Sequence, residues 1–370
     1  MKRSFIREIL EYTTSETISF AGGLPDEKCF PNEQLKKSAM RVLENQSCLQ
    51  YTKSTGIDNL KEKIAKTYCK DGFPTTKDNI MITSGSQQAL DIIARYNHGK
   101  TITVEKPSYL GAMNVFDLNH LKQTAITLEN NGIDTKEFEN SFKESKFAYL
   151  IPDFQNPTGK TYSLEKREVI ASIIKKNDGI LIEDSPYSEL YFENKNSSIS
   201  TLIPKNSFHL GSFSKTLAPS LRIGWIRADE ELLKPLISYK EAMDLHTNGL
   251  SQYILADYLN DEKEYEKHLN TLRNRYKNKM LIFKKYLDIY LPSFQYTQPQ
   301  GGMFIYGEFT DINTSRLIKR CLDNDVVFVP GAEFYSSDVK ENEIRFNFTH
   351  TDEKNIKIGL CKIADIIKEF

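Results

Sequence analysis

The chain has 370 residues, with 49 Lys and Arg against 50 Asp and Glu for a formal net charge of −1. That balance excludes the electrostatic footprint of a nucleic-acid binder, and a hydrophobic fraction of 39% with 27% charged residues excludes a disordered chain. Five scattered cysteines (Cys29, Cys48, Cys69, Cys321, Cys361) share no metal or redox spacing, and no apolar run is long enough to cross a bilayer. These features predict a cytoplasmic protein of two ordinary domains with reduced thiols, no metal centre and no membrane or nucleic-acid partner.

The amino terminus reads as an amphipathic helix, because Phe5, Ile6, Ile9 and Leu10 are interrupted by Arg7 and Glu8. Residues 1–45 lie outside the pattern that follows and are expected to pack with the carboxy-terminal domain. From residue 80 to 230 short apolar runs alternate with helical stretches. Strands are predicted at 80–83, 101–104, 124–128, 147–151, 179–183, 208–211 and 223–227, with helices at 86–96 and 164–177 between them. Such alternation predicts an α/β domain over residues 46–255, a mostly parallel seven-stranded sheet sandwiched by helices. Residues 230–290 are strongly helical, and Pro292, Pro299 and the pair Gly301–Gly302 end that stretch. A smaller α+β domain is predicted over 256–370, with strands at 303–309, 326–329 and 344–348 and helices at 314–323 and 352–369.

Six dispersed histidines (His98, His120, His209, His246, His268, His350) give no triad or metal spacing, so chemistry must come from elsewhere. In Gly211-Ser212-Phe213-Ser214-Lys215, with Arg222 seven residues on, an apolar strand ends at hydroxyls, a lysine and an arginine. Hydroxyls and an arginine fork suit a phosphate, and a lysine beside them can form a Schiff base; a solvated loop has the same composition. A buried strand also delivers Glu183 and Asp184 to its carboxyl end, where strand alternation lets only one of them face a ligand. Asp184 there can hold a pyridinium nitrogen protonated or merely cap a turn. Ser84-Gly85-Ser86-Gln87-Gln88 opens a helix, which suits both an anion site and a plain N-cap. Asn156 lies in the turn Asn156-Pro157-Thr158-Gly159. Arg345 sits on an apolar strand, where it needs an anion, either a substrate carboxylate or a structural Asp or Glu.

Together these pieces resemble the fold type I pyridoxal-phosphate aminotransferases, in particular the 2-aminoadipate/kynurenine branch and the carboxy-terminal domains of MocR-type regulators. The resemblance covers nearly the whole chain and runs in order through Ile6-Arg7-Glu8-Ile9-Leu10, Ala21-Gly22-Gly23-Leu24-Pro25, Leu49-Gln50-Tyr51, Thr83-Ser84-Gly85-Ser86 and Pro107-Ser108-Tyr109. It continues through the Asn156, Asp184 and Lys215 motifs, Gly301-Gly302-Met303-Phe304, Val329-Pro330-Gly331 and Arg345. It implies the following roles. Lys215 carries pyridoxal 5'-phosphate as an imine and then moves a proton. Asp184 pairs with the pyridinium nitrogen, Asn156 and Tyr187 bond the ring's phenolic oxygen, and Tyr109 stacks on the ring. Ser86, Gln87, Ser212, Ser214 and Arg222 hold the phosphate, with Tyr51 reaching it from a neighbouring subunit in a homodimer of shared sites. Arg345 clamps the substrate carboxylate beside Gly23. Two positions depart from the usual pattern, Ser185 after Glu183-Asp184 and Ser220 before Arg222; only the local turn at Ser220 is put in doubt.

The implied activity is a ping-pong exchange between an amino acid and a 2-oxoacid, with glutamate and 2-oxoglutarate as one pair. Arg7 matches a position that can meet an acidic side chain, although an exposed or structurally paired arginine explains it more readily. Phe5, Ile6, Leu24 and Met303 offer an apolar wall for a second substrate. A decarboxylase, lyase or cyclase of the same fold, and a MocR-like sensor that binds the cofactor without turnover, are the alternatives. A sensor is disfavoured by the charge balance and by a chain that opens directly on the aminotransferase-like region.

Overall fold

The computed structural model describes Ile9 and residues 11–369. Arg7, Phe5, Ile6 and most of the expected amino-terminal helix lie outside the described residues.

All seven predicted strands of the main sheet are present. They are β2 (Ile80–Thr83), β3 (Thr101–Lys106), β4 (Lys122–Glu129), β6 (Phe147–Leu150), β7 (Ile180–Asp184), β8 (Ser207–Ser212) and β9 (Gly224–Arg227). An eighth, β5 (Gly132–Ile133), pairs antiparallel with the end of β4, so the sheet has eight strands rather than seven. Two residues are too few to leave a period-2 signal in the sequence. The order is β2-β9-β8-β7-β6-β3-β4-β5, and the core strands β8, β7, β6, β3 and β4 are mutually parallel. Only β9, among the longer strands, runs against its neighbours. Burial explains the unbroken apolar runs: every residue of β2, β6 and β8 is buried, as expected for strands covered on both faces.

Two apolar layers, one on each side of the sheet, supply that cover. Helices α3 (Ser86–Tyr96) and α4 (Leu110–Leu118) place Leu90, Ile93 and Phe116 against Val104, Tyr149 and Ile182. Helices α5 (Thr135–Ser145) and α6 (Leu164–Lys176) place Phe138, Phe142 and Ile170 against Ala148, Leu150 and Leu181. Both α5 and α6 start where a polar side chain takes up free first-turn N–H groups: Asp134 accepts from Lys136 and Glu137, and Ser163 accepts from Lys166.

The stretch 230–290 is helical but broken. Helices α7 (Leu236–Asp244), α8 (Gly249–Tyr258) and α9 (Glu262–Tyr290) are separated at Leu245, which takes a positive φ of 61°, and near Asp261, which caps α9. The carboxy-terminal part carries a four-stranded sheet, β10 (Gln295–Tyr296), β11 (Phe304–Glu308), β14 (Glu343–Asn347) and β13 (Val329–Pro330), with α10 (Thr314–Leu322) and α11 (Glu353–Lys368) packed beside it. Near the amino end, β1 (Ile18–Ser19) pairs in parallel with β12 (Val326–Val327), and Phe20 is enclosed by Phe283 and Phe346. The following helices, α1 (Asn32–Leu43) and α2 (Asp58–Lys70), lie instead against α8, with Arg41 of α1 paired to Asp257. The carboxyl ends of β2, β3, β6, β7 and β8 thus converge below the Ala21–Leu24 segment and β14. Open parallel sheets form their ligand crevice at such an end.

Candidate active site

At the end of β7 the strand alternation separates the two acids. Glu183 turns away and accepts bonds from the Ile199 and Ser200 N–H groups and the Ser200 hydroxyl. Asp184 faces the crevice, where its Oδ2 accepts a 2.8 Å bond from the Tyr149 hydroxyl. Its Oδ1 is buried with no hydrogen-bond partner among the described residues. Burial pushes the Asp184 carboxyl up to about 7, and the Tyr149 bond only partly opposes that. A carboxylate so placed lacks one proton donor, which a ligand N–H would supply.

A chain of polar groups runs beside it. Arg345 Nη1 donates to Asn156 Oδ1 at 2.8 Å, and Asn156 Nδ2 donates to the Tyr187 hydroxyl at 3.2 Å. Asn156, Asp184, Tyr187 and Arg345 are each no more than 5% exposed. The Arg345 guanidinium lies between the rings of Phe304 and Phe334, 4.4 and 4.9 Å from their centres, and donates through Nη2 to the Ala21 carbonyl. No carboxylate lies within ion-pair distance among the described residues, and its Nε has no partner there. The structural Asp or Glu that the sequence left open is therefore absent from the described residues. A buried cation with a free donor fits a carboxylate brought from outside. Desolvation lowers the Arg345 pKa to about 10, against the pull of the Tyr187, Tyr109 and Tyr306 hydroxyls.

Lys215 reaches across the same space, its Nζ 2.7 Å from the Gly23 carbonyl. Desolvation first, then the charges of Arg345 and Arg222, lowers its pKa to about 8. The amine is therefore available as a nucleophile or base near neutrality, unlike an ordinary lysine.

The other end of the crevice is more open. Ser86 and Gln87 begin α3, whose first-turn N–H groups lack intrahelical acceptors. Gly85 precedes them at φ +82°, and a Cβ there would sit 2.5 Å from Arg222 Nη2, so glycine both allows the turn and lets the guanidinium approach. Arg222 donates to the Ser84 carbonyl at 2.9 Å and lies 3.5 Å from the Ser214 hydroxyl. Ser212 Oγ accepts from the Ser214 N–H, which orders the turn after β8. Tyr109 borders the opening, its hydroxyl 3.4 Å from Gln87 Oε1. Helix terminus, hydroxyls and guanidinium together fit a phosphate group.

The structure thus brings together Gly23, Ser86, Gln87, Tyr109, Asn156, Asp184, Tyr187, Ser212, Ser214, Lys215, Arg222 and Arg345. Tyr51 stands apart from this group: it is 78% exposed and packs edge-on against His246. Of the proposed apolar wall, Leu24 is exposed, whereas Met303 is fully buried in the carboxy-terminal core. Sequence reading missed Tyr149, Phe334, Ala21 and Asn347. Asn347 stands two residues after Arg345 on β14, the spacing that puts two side chains on one strand face, and it donates to the Gly22 and Leu24 carbonyls. Among the described residues no His, Cys, Asp and Glu cluster could hold a metal, and no helix is long and apolar enough to cross a membrane.

The model of the family described as aminotransferase class I and II matches residues 18–363. The whole chain aligns at 35% identity with aromatic-amino-acid aminotransferase 1 of Thermococcus litoralis, covering 92% of it. It aligns at 32% identity with the 2-aminoadipate transaminase of Thermus thermophilus, covering 94%. Among solved structures, the kynurenine aminotransferase of Pyrococcus horikoshii, in complex with PMP, is similar at a TM-score of 0.94 and 35% identity, with all of this chain and 95% of that one covered.

Proposed function

The chain belongs to the class I and II aminotransferases and is a pyridoxal-phosphate-dependent transaminase; from that premise we propose that it works by a ping-pong exchange in which glutamate and 2-oxoglutarate are one pair. The other substrate, in this reading, is an aromatic or medium-length amino acid of the kind that names its relatives. The observation that carries the assignment of residues is the pair of buried, unpartnered atoms, Asp184 Oδ1 and Arg345 Nε, facing one crevice. Leaving such atoms without partners costs stability, on the order of 1–3 kcal/mol each, and a ligand with a ring N–H and a carboxylate removes both costs.

When bound, pyridoxal phosphate supplies an aldehyde to carry the amino group and a ring to take up electrons from Cα. Lys215 would hold the aldehyde, and its amine would move the proton from Cα through Nζ. Asp184 would keep the proton on the ring nitrogen. Asn156 and Tyr187 would donate to the phenolic oxygen beside Tyr109. Ser86, Gln87, Ser212, Ser214 and Arg222 would hold the phosphate. Arg345 orients the α-carboxylate, and the Gly23 backbone offers a flat surface next to it. Arg7 meets the acidic side chain of glutamate in this reading.

We further assign a homodimer with shared sites and a cytoplasmic location. Tyr51, Leu49, Met40 and Leu245 all expose half or more of their surface, which leaves apolar side chains for a second copy to cover. A second copy covering them brings Tyr51 to its partner's phosphate. Five unpaired cysteines accord with a reducing compartment.

The deciding experiment mixes the holoprotein with single amino acids and follows the cofactor spectrum. Conversion to the pyridoxamine form with release of the matching oxoacid is expected for glutamate and at least one apolar or aromatic amino acid. Release of carbon dioxide or ammonia instead would contradict transamination.

A further inference from the structure

Asp244, the last residue of α7, carries a negative charge beside a pocket assigned to an anion. Its Oδ1 pairs with Lys240, which is completely buried one turn earlier. Its Oδ2 accepts from the Ser84 hydroxyl at 3.1 Å and from Gln88 Nε2 at 2.8 Å. Gln88 Oε1 in turn accepts from the Ser84 N–H at 2.7 Å. The links close into a ring: Ser84 N–H to Gln88, Gln88 to Asp244, Ser84 hydroxyl to Asp244. Ser84 is thereby held at its nitrogen and its side chain, which leaves its carbonyl one direction, toward Arg222 Nη2 at 2.9 Å.

Arg222 depends on that carbonyl. It adopts a left-handed backbone at φ 52°, a conformation that strains a non-glycine residue and needs surrounding contacts to persist. One edge of its guanidinium bonds Ser84, while the other donates to the Pro219 carbonyl at 3.2 Å and lies near Ser214. Lys240 neutralises Asp244, so the carboxylate can stay close to a phosphate without repelling it strongly.

We propose that Asp244 is a positioning residue for the phosphate cup: it fixes Ser84, and Ser84 aims Arg222. The proposal rests on the reading of Ser86, Ser214 and Arg222 as the phosphate site and extends it to a residue that touches neither cofactor nor substrate. Its effect is confined to the phosphate end, since none of its partners belongs to the Asp184, Asn156 and Arg345 group.

The test uses cofactor-free wild-type protein, Asp244→Ala and Ser84→Ala, each titrated separately with pyridoxal phosphate and with pyridoxal, with absorbance as the readout. Both variants are expected to bind pyridoxal phosphate about tenfold more weakly, and pyridoxal within about twofold of wild type. The double variant should lose no more than either single one, because both break one link. Equal losses for the two ligands, or no loss for pyridoxal phosphate in either variant, would overturn the role of Asp244. If the wild-type protein itself fails to prefer pyridoxal phosphate over pyridoxal, the phosphate cup is misassigned and the inference falls with it.

Discussion

The two ends of the crevice are built on opposite principles. The end that holds Asp184, Asn156, Tyr187 and Arg345 is closed, with side chains locked into a bonded chain and two polar atoms buried without partners. The end that holds Ser86, Gln87, Ser214 and Arg222 is made of a helix terminus and turns, with Gln87 and Arg222 exposed. A closed end fixes protonation states because desolvation there moves pKa values far: Asp184 rises to about 7, and Lys215 falls to about 8. An open end gains by polar contacts to a doubly charged group and has room for a contact from a second chain. In the proposed assignment, chemistry belongs to the first end and retention of the cofactor to the second.

Substitutions at the closed end should therefore strike turnover or substrate binding, and those at the open end should strike affinity for the cofactor. Lys215→Ala removes the group that moves the Cα proton, and turnover is expected to fall by about 10⁴-fold; steady-state rates within tenfold of wild type would break the assignment. Asp184→Asn is expected to lower kcat by about a hundredfold or more. The same change should stabilise the cofactor-free protein at pH 8. A carboxyl whose folded pKa is raised holds a proton that the unfolded chain has already lost, so its contribution to stability is lost as pH rises from about 4 to about 7. Thermal melts of both apoproteins at pH 5 and pH 8 check this, and a variant no more stable than wild type at pH 8 would contradict it.

Lys215 gives the reverse slope. Its folded pKa is depressed, so between pH 8 and about 10 the unfolded chain binds the extra proton and stability from this residue grows with pH. Labelling of the apoprotein lysine by an amine-reactive probe should accordingly rise through about pH 8; a rise near 10.5 would remove the electrostatic argument. Arg345→Lys replaces a two-pronged donor by a point charge and should raise KM by roughly ten- to a hundredfold with less change in kcat. The smallest effect is expected at the open end. Tyr51→Phe should weaken pyridoxal phosphate retention by about tenfold in the proposed dimer and leave the melting temperature unchanged. Loss of turnover without loss of retention there would blur the division between the two ends.

Much of this was legible in the chain because it is local. Seven strands announce themselves as apolar runs, and the residues after them, Ser86, Asn156, Asp184 and Lys215, fall at the carboxyl ends where such sheets bind ligands. The choice between Glu183 and Asp184 was left to alternation, and packing of Ile199 and Ser200 onto Glu183 made it. What the sequence hid is long-range or brief. The Tyr149 bond to Asp184 spans 35 residues, and the Arg345 bond to Ala21 spans 324; no periodicity records either. Strand β5 is too short to be seen, and the break at Leu245 carries no glycine or proline to announce it. Arg7 lies outside the described residues, so its role rests on resemblance alone.

In the proposed site Lys215 is the residue bonded to the cofactor, in a crevice whose far wall is Asp184. The most direct test is to saturate the protein with pyridoxal phosphate, reduce it with borohydride, digest it and read the mass of the peptide containing Lys215. A pyridoxyl phosphate group fixed on Lys215, absent from the Lys215→Ala variant, is the result this account predicts. An unmodified Lys215 peptide, or the same label on another lysine of the wild-type protein, would contradict it.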